Sequence, residues 1–350
     1  EIMLANIEQN YAGGSASPYV LYGMLIQSSN VLAQATAENA LQDAGSRTKQ
    51  FTGIALSKLM SDDHAYGLTV ARKFIETDLP ELLTAIGRAY STLDLKDDGY
   101  TEEDLTLLLG VLSSKDQWVA RNGIEAIRSV AKNNKPLAID LLKCADIGIS
   151  SKVADEVLNL FQRDKDIPFR LLTDEDIVHF LNKLMPIPEL DGYWIETFLS
   201  KVSRYHAQRA ATFYMARVEY AASTDDWHYR PCNHGPYLHV PLRFRETEEF
   251  SSLLRQVYQW MKSHSEQGHQ FKHRAGELFD VMFSPLDDEL LGFIQDWIDA
   301  STPDDMRIIS QVLNESRPNF VFEQRAFVTR FLNKAKQHGK EALDNAVSAL

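Results

Sequence analysis

The chain of 350 residues contains only two cysteines, Cys144 and Cys232. Two cysteines so far apart cannot form a disulfide framework, and so small a number is typical of proteins of a reducing cytosol. The sequence has no secretory signal peptide and no apolar run of the length that crosses a bilayer. We therefore expect a cytoplasmic protein that does not enter a membrane.

Positive charge is also scarce. The chain has 36 Lys and Arg residues against 49 Asp and Glu residues, which gives a formal net charge of -13. It contains no run of five or more basic residues. Because nucleic-acid binding depends largely on neutralising phosphates with Lys and Arg, this balance disfavours a nucleic-acid partner.

The usual catalytic and cofactor motifs are missing. Gly339-Lys340 lacks both the earlier glycine and the following Ser or Thr of a phosphate-binding loop. His264 and His269 are five residues apart, whereas paired zinc ligands on one helix face are four apart. We expect this chain to contain no catalytic residue and to bind no cofactor or metal, so that it is not itself an enzyme.

Helical periodicity, by contrast, runs through almost the whole chain. Leu105, Leu108, Leu109 and Leu112 follow the i, i+3, i+4, i+7 spacing of one apolar helix face. Comparable stripes recur from there to the C-terminal segment, without the alternation of strands and helices that builds a parallel sheet. The pattern predicts an all-α protein.

Short polar motifs mark where the helices begin. A hydroxyl residue accepts a hydrogen bond from a free backbone N–H of the first turn, and an acid three residues later complements the positive end of the helix dipole. Proline at the first helical position lacks an N–H that would have no partner there. The predicted cap-and-acid pairs are Thr101 with Asp104, Thr173 with Asp176, Ser284 with Asp287 and Thr302 with Asp305, with Pro285 and Pro303 as first helical residues.

The helices are spaced as pairs. Starts near Thr101, Pro136 and Thr173 are 35 and 37 residues apart, which is the length of a two-helix repeat. One helix pair cannot bury its apolar faces alone, so neighbouring pairs must stack. The sequence therefore predicts an α-solenoid of antiparallel helix pairs. It divides into a repeat array over residues 1–222, an irregular connector over 223–244, and further repeats over 245–350.

One segment resembles a HEAT-type repeat. In "DQWVARNGIEAIRSVAKNNKPLAIDLL", residues 116–142, Asp116 opens the second helix, Val119 and Arg121 lie in its first turns, and Ala126-Ile127 forms a small-apolar pair. HEAT-type proteins are α-solenoids that act as scaffolds, so the resemblance implies a protein or peptide partner.

A second resemblance concerns the order of the later segments. "AIDLLKCADIGISSKVADEVLNLF" (138–161), an insert rich in Tyr and Pro, and the helical segment 320–350 are together similar to C-terminal regions of large bacterial STAND/NACHT-type NTPases. In that family such regions sense ligands or partners while the nucleotide site lies upstream. The resemblance implies a sensor region in a bacterial signalling or antiviral defence protein. The chain also begins without Met and ends inside a helical pattern, so we expect a fragment with upstream domains.

The stretch "DDWHYRPCNHGPYLHVPLRF", residues 225–244, stands apart. Its His228, Cys232, His234 and His239 are zinc-type ligands in kind, but their spacing matches no structural zinc motif. From residue 237 onward apolar and polar residues alternate, which is typical of a half-buried extended segment. The predicted apolar face comprises Leu238, Val240, Leu242 and Phe244.

We interpret this stretch as an ordered, hairpin-like connector that also offers a contact surface, because Tyr, Trp and Arg are favoured at binding hot spots. Two alternatives stay open: a metalloprotein or enzyme built on the loop from His228 to His239, and a nucleic-acid-binding solenoid. The predicted partner-binding residues are Trp227, Tyr229, Arg230, His234, Tyr237 and His239.

Overall fold

The chain folds almost entirely into α-helices. The computed structural model describes residues 2–10, 17–43, 48–93, 99–162, 166–224, 226, 228–232, 240–264, 266–285, 287–314 and 325–350. These residues form nineteen α-helices, four 3-10 turns and no β-strand, as the periodicity predicts. Within the same ranges, every helix is too short or too polar to cross a bilayer.

The structure divides into two compact units, Glu1–Asp176 and Ile177–Leu350. The sequence boundaries near residues 222 and 244 both fall inside the second unit and stay predictions. The helices of the first unit are α1 (Ile2–Asn10), α2 (Pro18–Ser28), α3 (Asn30–Gln42), α4 (Thr52–Asp62), α5 (His64–Thr77), α6 (Pro80–Thr92), α7 (Glu102–Leu112), α8 (Gln117–Asn133), α9 (Lys135–Cys144) and α10 (Ser151–Asn159).

Helix α11 (Asp174–Leu184) begins at the division between the units. The remaining helices are α12 (Tyr193–Tyr205), α13 (Ala207–Thr224), α14 (Phe250–Ser263), α15 (His269–Phe283), α16 (Asp288–Ala300), α17 (Pro303–Asn314), α18 (Arg325–His338) and α19 (Lys340–Ser348). The 3-10 turns are Lys49–Phe51, Ile147–Ile149, Phe169–Leu171 and Phe244–Glu246.

In the first unit the helices form two rows. From α1 to α9 consecutive helices pack side by side, and each helix from α2 to α8 also contacts the next helix but one. The even-numbered row therefore consists of α2, α4, α6, α8 and α10, and the odd-numbered row of α3, α5, α7 and α9. This arrangement is solenoid-like, and it buries the apolar stripe of each helix against its neighbours.

Glycines let the even-numbered row pack closely. Gly53 of α4 faces Arg88 of α6, where a Cβ atom would lie 2.8 Å from the Arg88 Cβ. Gly87 of α6 faces α8, where a Cβ atom would lie 2.7 Å from the carbonyl carbon of Asn122 and 3.0 Å from the nitrogen of Gly123. At Gly87 the backbones of α6 and α8 are thus in contact, which no larger residue permits without a shift.

Three of the four predicted helix starts are confirmed. The Thr101 side chain accepts from the Asp104 backbone N–H at 3.2 Å, and the Asp104 carboxylate accepts from the Thr101 N–H at 2.8 Å. Thr173 with Asp176 and Thr302 with Asp305 form the same reciprocal pair. Pro303 is the first residue of α17, as predicted.

The fourth helix start is wrong. Ser284 ends α15 instead of beginning α16, and Asp287 is itself the cap, accepting from the Leu290 N–H at 3.1 Å. Pro285 consequently precedes the helix and is not its first residue. The helix begins three residues later than predicted, because Asp is as good an N-cap residue as Ser.

The capping aspartates also connect helices. The Asp104 carboxylate is buried, and it accepts from the Tyr90 hydroxyl of α6 at 2.5 Å and lies 3.1 Å from His64 Nε2 of α5. Burial alone would raise the pKa of Asp104, but the hydrogen bonds from Thr101, Tyr90 and His64 outweigh it, so that the pKa lies below its ordinary value. One carboxylate thus joins three helices.

In the second unit it is the odd-numbered helices that pack against one another most closely. Helix α13 contacts α15, α15 contacts α17, and α17 contacts α19. Helices α14 and α16 are bridged mainly by aromatic side chains: Phe250 pairs with Phe293 at 6.3 Å between ring centroids, and Tyr258 stacks on Trp297 at 4.1 Å. A surface groove lies between α14 and α16.

The contact at Gly87 makes a stability prediction. Gly87→Ala should lower the free energy of unfolding by about 1–3 kcal/mol, because its Cβ would overlap the Asn122 backbone. Gly292→Ala is the matched control, since Gly292 lies within α16 with no atom within 4 Å of an added Cβ. Removing that helical glycine should stabilise the chain by about 0.5–1 kcal/mol. Urea unfolding monitored by circular dichroism measures both, and equal effects at the two sites would contradict the close approach.

The capping aspartates predict a pH dependence. Because the folded-state pKa of Asp104 is lowered, its contribution to stability is complete above the unfolded-state pKa of about 3.9 and is lost as the pH falls further. Asp104→Asn should lower the unfolding free energy at neutral pH by about 1–3 kcal/mol. It should also reduce the loss of stability between about pH 5 and pH 3. Denaturant melts across this range test the claim, which fails if the variant and the parent lose stability in parallel.

Candidate functional site

The stretch 225–244 is described only in part. Residues 226, 228–232 and 240–244 are placed. Four of the six residues predicted to bind a partner lie outside the described residues: Trp227, His234, Tyr237 and His239. The other two, Tyr229 and Arg230, are packed near a buried arginine that the sequence reasoning did not single out.

Arg217 of α13 is the centre of this region. Its side chain is fully buried, and its guanidinium donates to six backbone carbonyl oxygens at 3.0–3.4 Å. Two groups of carbonyls converge on it, one from the end of α11 and the turn after it, and one from the connector. They belong to Leu184, Met185, Ile187, Pro188, Arg230 and Pro231.

This buried cation is compensated by carbonyl dipoles. In the described part of the chain, no carboxylate forms an ion pair with Arg217. The Tyr229 ring contributes as well, since its centroid lies 4.5 Å from the Arg217 Cζ. Burial lowers the pKa of Arg217 below its ordinary value, yet an arginine remains protonated near neutral pH. The arginine therefore ties two irregular backbone segments to α13.

Tyr229 and Arg230 occupy different environments. Tyr229 is buried, and its hydroxyl donates to the Met185 carbonyl at 2.5 Å. The Arg230 side chain is about half exposed and lies 3.2 Å from the Glu189 carboxylate. Tyr229 thus anchors the connector to the turn after α11 through a buried hydrogen bond, while Arg230 lies on the protein surface. Whether these two residues bind a partner stays a prediction.

Cys232 is buried beside the same connector. Burial raises the pKa of its thiol well above the ordinary value, so that the thiol stays protonated and unreactive. His228 is exposed. No group of three His, Cys, Asp or Glu side chains with metal-binding geometry is found among the described residues, which exclude His234 and His239.

The end of the connector docks on α12. The Ser200 hydroxyl donates to the Pro241 carbonyl at 2.7 Å, and the Arg243 N–H donates to the Ser203 hydroxyl at 2.8 Å. Phe244 is fully buried, as the predicted alternation requires. Val240 and Leu242 are only half-buried, and the 3-10 turn begins at Phe244, so the extended pattern ends there. Leu238 lies outside the described residues.

A different aromatic residue is exposed in the first unit. Trp118 lies at the start of α8 with 55% of its surface accessible. Trp118 shares a face with the polar Asn122 and Glu125, at i+4 and i+7, and points away from the stripe that contains Val119. The exposure of Trp118 could have been read from the sequence, because the residues at i+4 and i+7 on the same helix face are polar.

Polar contacts near Trp118 join three helices of the even-numbered row. The Arg121 guanidinium lies 5.9 Å from the Trp118 ring centroid, and it pairs with Glu156 of α10 at 2.6 Å. On the other side, Arg88 of α6 donates to the Asn122 side chain at 3.3 Å. We call these five residues the Trp118 surface. It presents an accessible indole within a rim of charged and amide groups.

The comparisons with known proteins add no family. No protein-family model matches the chain, and no curated protein sequence matches it significantly. The HEAT-type and NTPase-type resemblances therefore rest on the sequence segments that carry them.

Arg217 makes a prediction about the connector. Arg217→Met should lower the unfolding free energy by about 3–5 kcal/mol, because several buried carbonyls lose their donor. Arg230→Met is the control: its ion pair with Glu189 is exposed and should contribute at most about 1 kcal/mol. Urea melts of the two variants check this difference. Similar stabilities of both variants would show that the carbonyl cluster does not hold the connector.

Proposed function

We propose that this chain binds a protein partner through the Trp118 surface and performs no catalysis itself. The observation that supports the proposal is the exposed indole of Trp118, half of whose surface is accessible on a helix with a well-packed apolar side. Trp and Arg are the residues most enriched in binding hot spots. An aromatic centre within a polar rim is also the common anatomy of a protein interface.

The surrounding residues make this surface suited to a partner. Arg121 and Arg88 are held by contacts with Glu156 and Asn122, so less side-chain freedom is lost when a partner binds. The surface crosses α6, α8 and α10, as a partner that lies across successive repeats would require. Its mixed charges favour a protein or peptide over a nucleic acid, which would demand a predominantly basic surface.

The resemblances place this activity in a wider setting. A HEAT-type scaffold would use such a row of helices to hold its partner. A sensor region of a bacterial STAND/NACHT-type protein would couple binding to upstream domains of the same polypeptide in the cytoplasm, as part of signalling or defence. We propose the scaffold or sensor role on the strength of the Trp118 surface together with these resemblances.

The test begins with a photocrosslinking amino acid. It replaces Glu125, which is exposed two helical turns from Trp118 on the same face of α8, and in a control chain Tyr205, which is 62% exposed on α12. Proteins crosslinked from position 125 and not from position 205 are identified by mass spectrometry. Their binding to the purified chain is then measured by calorimetry.

Trp118→Ala should weaken that binding by at least about tenfold, whereas Tyr205→Ala should leave it unchanged. Both variants should keep the parent's stability to within about 0.5 kcal/mol, because both side chains are exposed. Equal binding by Trp118→Ala and the parent would contradict the proposal. Stoichiometric zinc that disappears in Cys232→Ala would instead favour the metalloprotein alternative.

A further inference from the structure

A groove on the second unit has exposed charged side chains above an aromatic floor. It lies between α14 and α16 and has a volume of about 520 Å³, within the usual range for ligand sites. Its floor is the stacked pair Tyr258 and Trp297, with ring planes 12° apart, and Phe293 continues that floor along α16. Trp297 and Phe293 remain partly accessible to solvent.

The two sides of the groove carry opposite charges. Arg255 and Gln259 line it from α14, and Asp296 lines it from α16. All three side chains are exposed. In the described part of the chain, neither Arg255 nor Asp296 forms an ion pair, whereas Lys262 pairs with Asp305 and Asp299 pairs with Arg330.

One end of the groove is closed by an ion pair. Lys262 Nζ lies 2.8 Å from the Asp305 carboxylate. Asp305 in addition caps α17 through Thr302. Lys262 and Asp305 therefore neutralise each other. The groups that remain available to a ligand are the Arg255 guanidinium, the Gln259 amide, the Asp296 carboxylate and the aromatic floor.

We propose that this groove binds a short extended peptide segment of a partner protein. The peptide carries an aromatic or large apolar side chain for the Tyr258–Trp297 floor, an acidic residue for Arg255 and a basic residue for Asp296. The Gln259 amide offers one acceptor and two donors, which match a peptide group. From Arg255 to Lys262 the helix rises about 10 Å, the length of three to four extended residues.

Other ligand classes match these groups less well. A nucleotide or oligonucleotide would bring phosphates beside both Asp296 and the Asp305 pair, and Arg255 is the one cation at the groove whose charge is not already paired in the described structure. A purely apolar ligand would leave both opposing charges unused. Opposite charges on the two sides favour a ligand that carries both signs, which a peptide does.

The experiment uses a phage library of random nine-residue peptides selected on the immobilised full chain. We expect enriched peptides to combine an aromatic or large apolar residue with one acidic and one basic residue within four positions. Labelled copies are then titrated against the parent, Arg255→Glu and Asp296→Lys by fluorescence anisotropy. Both substitutions replace exposed side chains, so that both variants should keep the parent's fold, which circular dichroism verifies.

Each charge reversal should weaken binding by about tenfold or more. Selection on Asp296→Lys should also lose the preference for a basic residue, and selection on Arg255→Glu the preference for an acidic one. Glu248→Lys, an exposed reversal outside the groove, is the control and should leave affinity unchanged.

Three outcomes would overturn the proposal. The first is no enrichment over an unrelated protein, and the second is equal binding of the enriched peptides by the parent and both reversals. The third is that a labelled oligothymidine binds the parent and displaces the peptides. Peptides that ignore the groove variants but lose affinity for Trp118→Ala would overturn the groove while supporting the Trp118 surface, so the two proposals fail independently.

Discussion

The arrangement of the first unit depends on backbone contact within the even-numbered row. At Gly87 the backbone of α6 touches the backbone of α8, and at Gly53 of α4 the Arg88 side chain of α6 lies close to the glycine. This spacing lets short side chains on neighbouring helices reach one another, as Asn122 reaches Arg88. The odd-numbered row is packed less closely. The contact between Arg88 and Asn122, which belongs to the Trp118 surface, therefore depends on the small residue at position 87.

Buried charge in this protein is compensated by the ends and turns of helices. Arg217 is surrounded by carbonyl oxygens of irregular backbone, and Asp104 by the donors of a helix start and by Tyr90. Both groups fix segments that periodic packing alone would leave unconstrained. A solenoid stacks regular helices, so its connections need separate restraint. Asp104 supplies it at one helix start, and Arg217 supplies it at the end of α11 and in the connector.

Much of the fold could be predicted from the sequence, because helix periods and caps are local signals. The start at Ser284 was misplaced, since neighbouring Ser and Asp are equally good caps and only three-dimensional packing selects between them. Arg217 lies on the apolar face of α13 with Phe213 and Ala221, a pattern that marks a buried arginine but not its carbonyl partners. The groove lies between α14 and α16, and the hydrophobic period of one helix carries no information about how far it lies from another helix.

The close approach of α6 and α8 is the central claim, and glycine-selective NMR tests it most directly. In a deuterated chain with protonated glycines, the account predicts a strong nuclear Overhauser effect between the Gly87 α-protons and the Gly123 amide proton, because a Cβ at Gly87 would lie 3.0 Å from the Gly123 nitrogen. Gly292, with no atom within 4 Å in that direction, should show no such effect to another helix. Assigned resonances without the Gly87–Gly123 effect would contradict the packing on which the proposed binding surface rests.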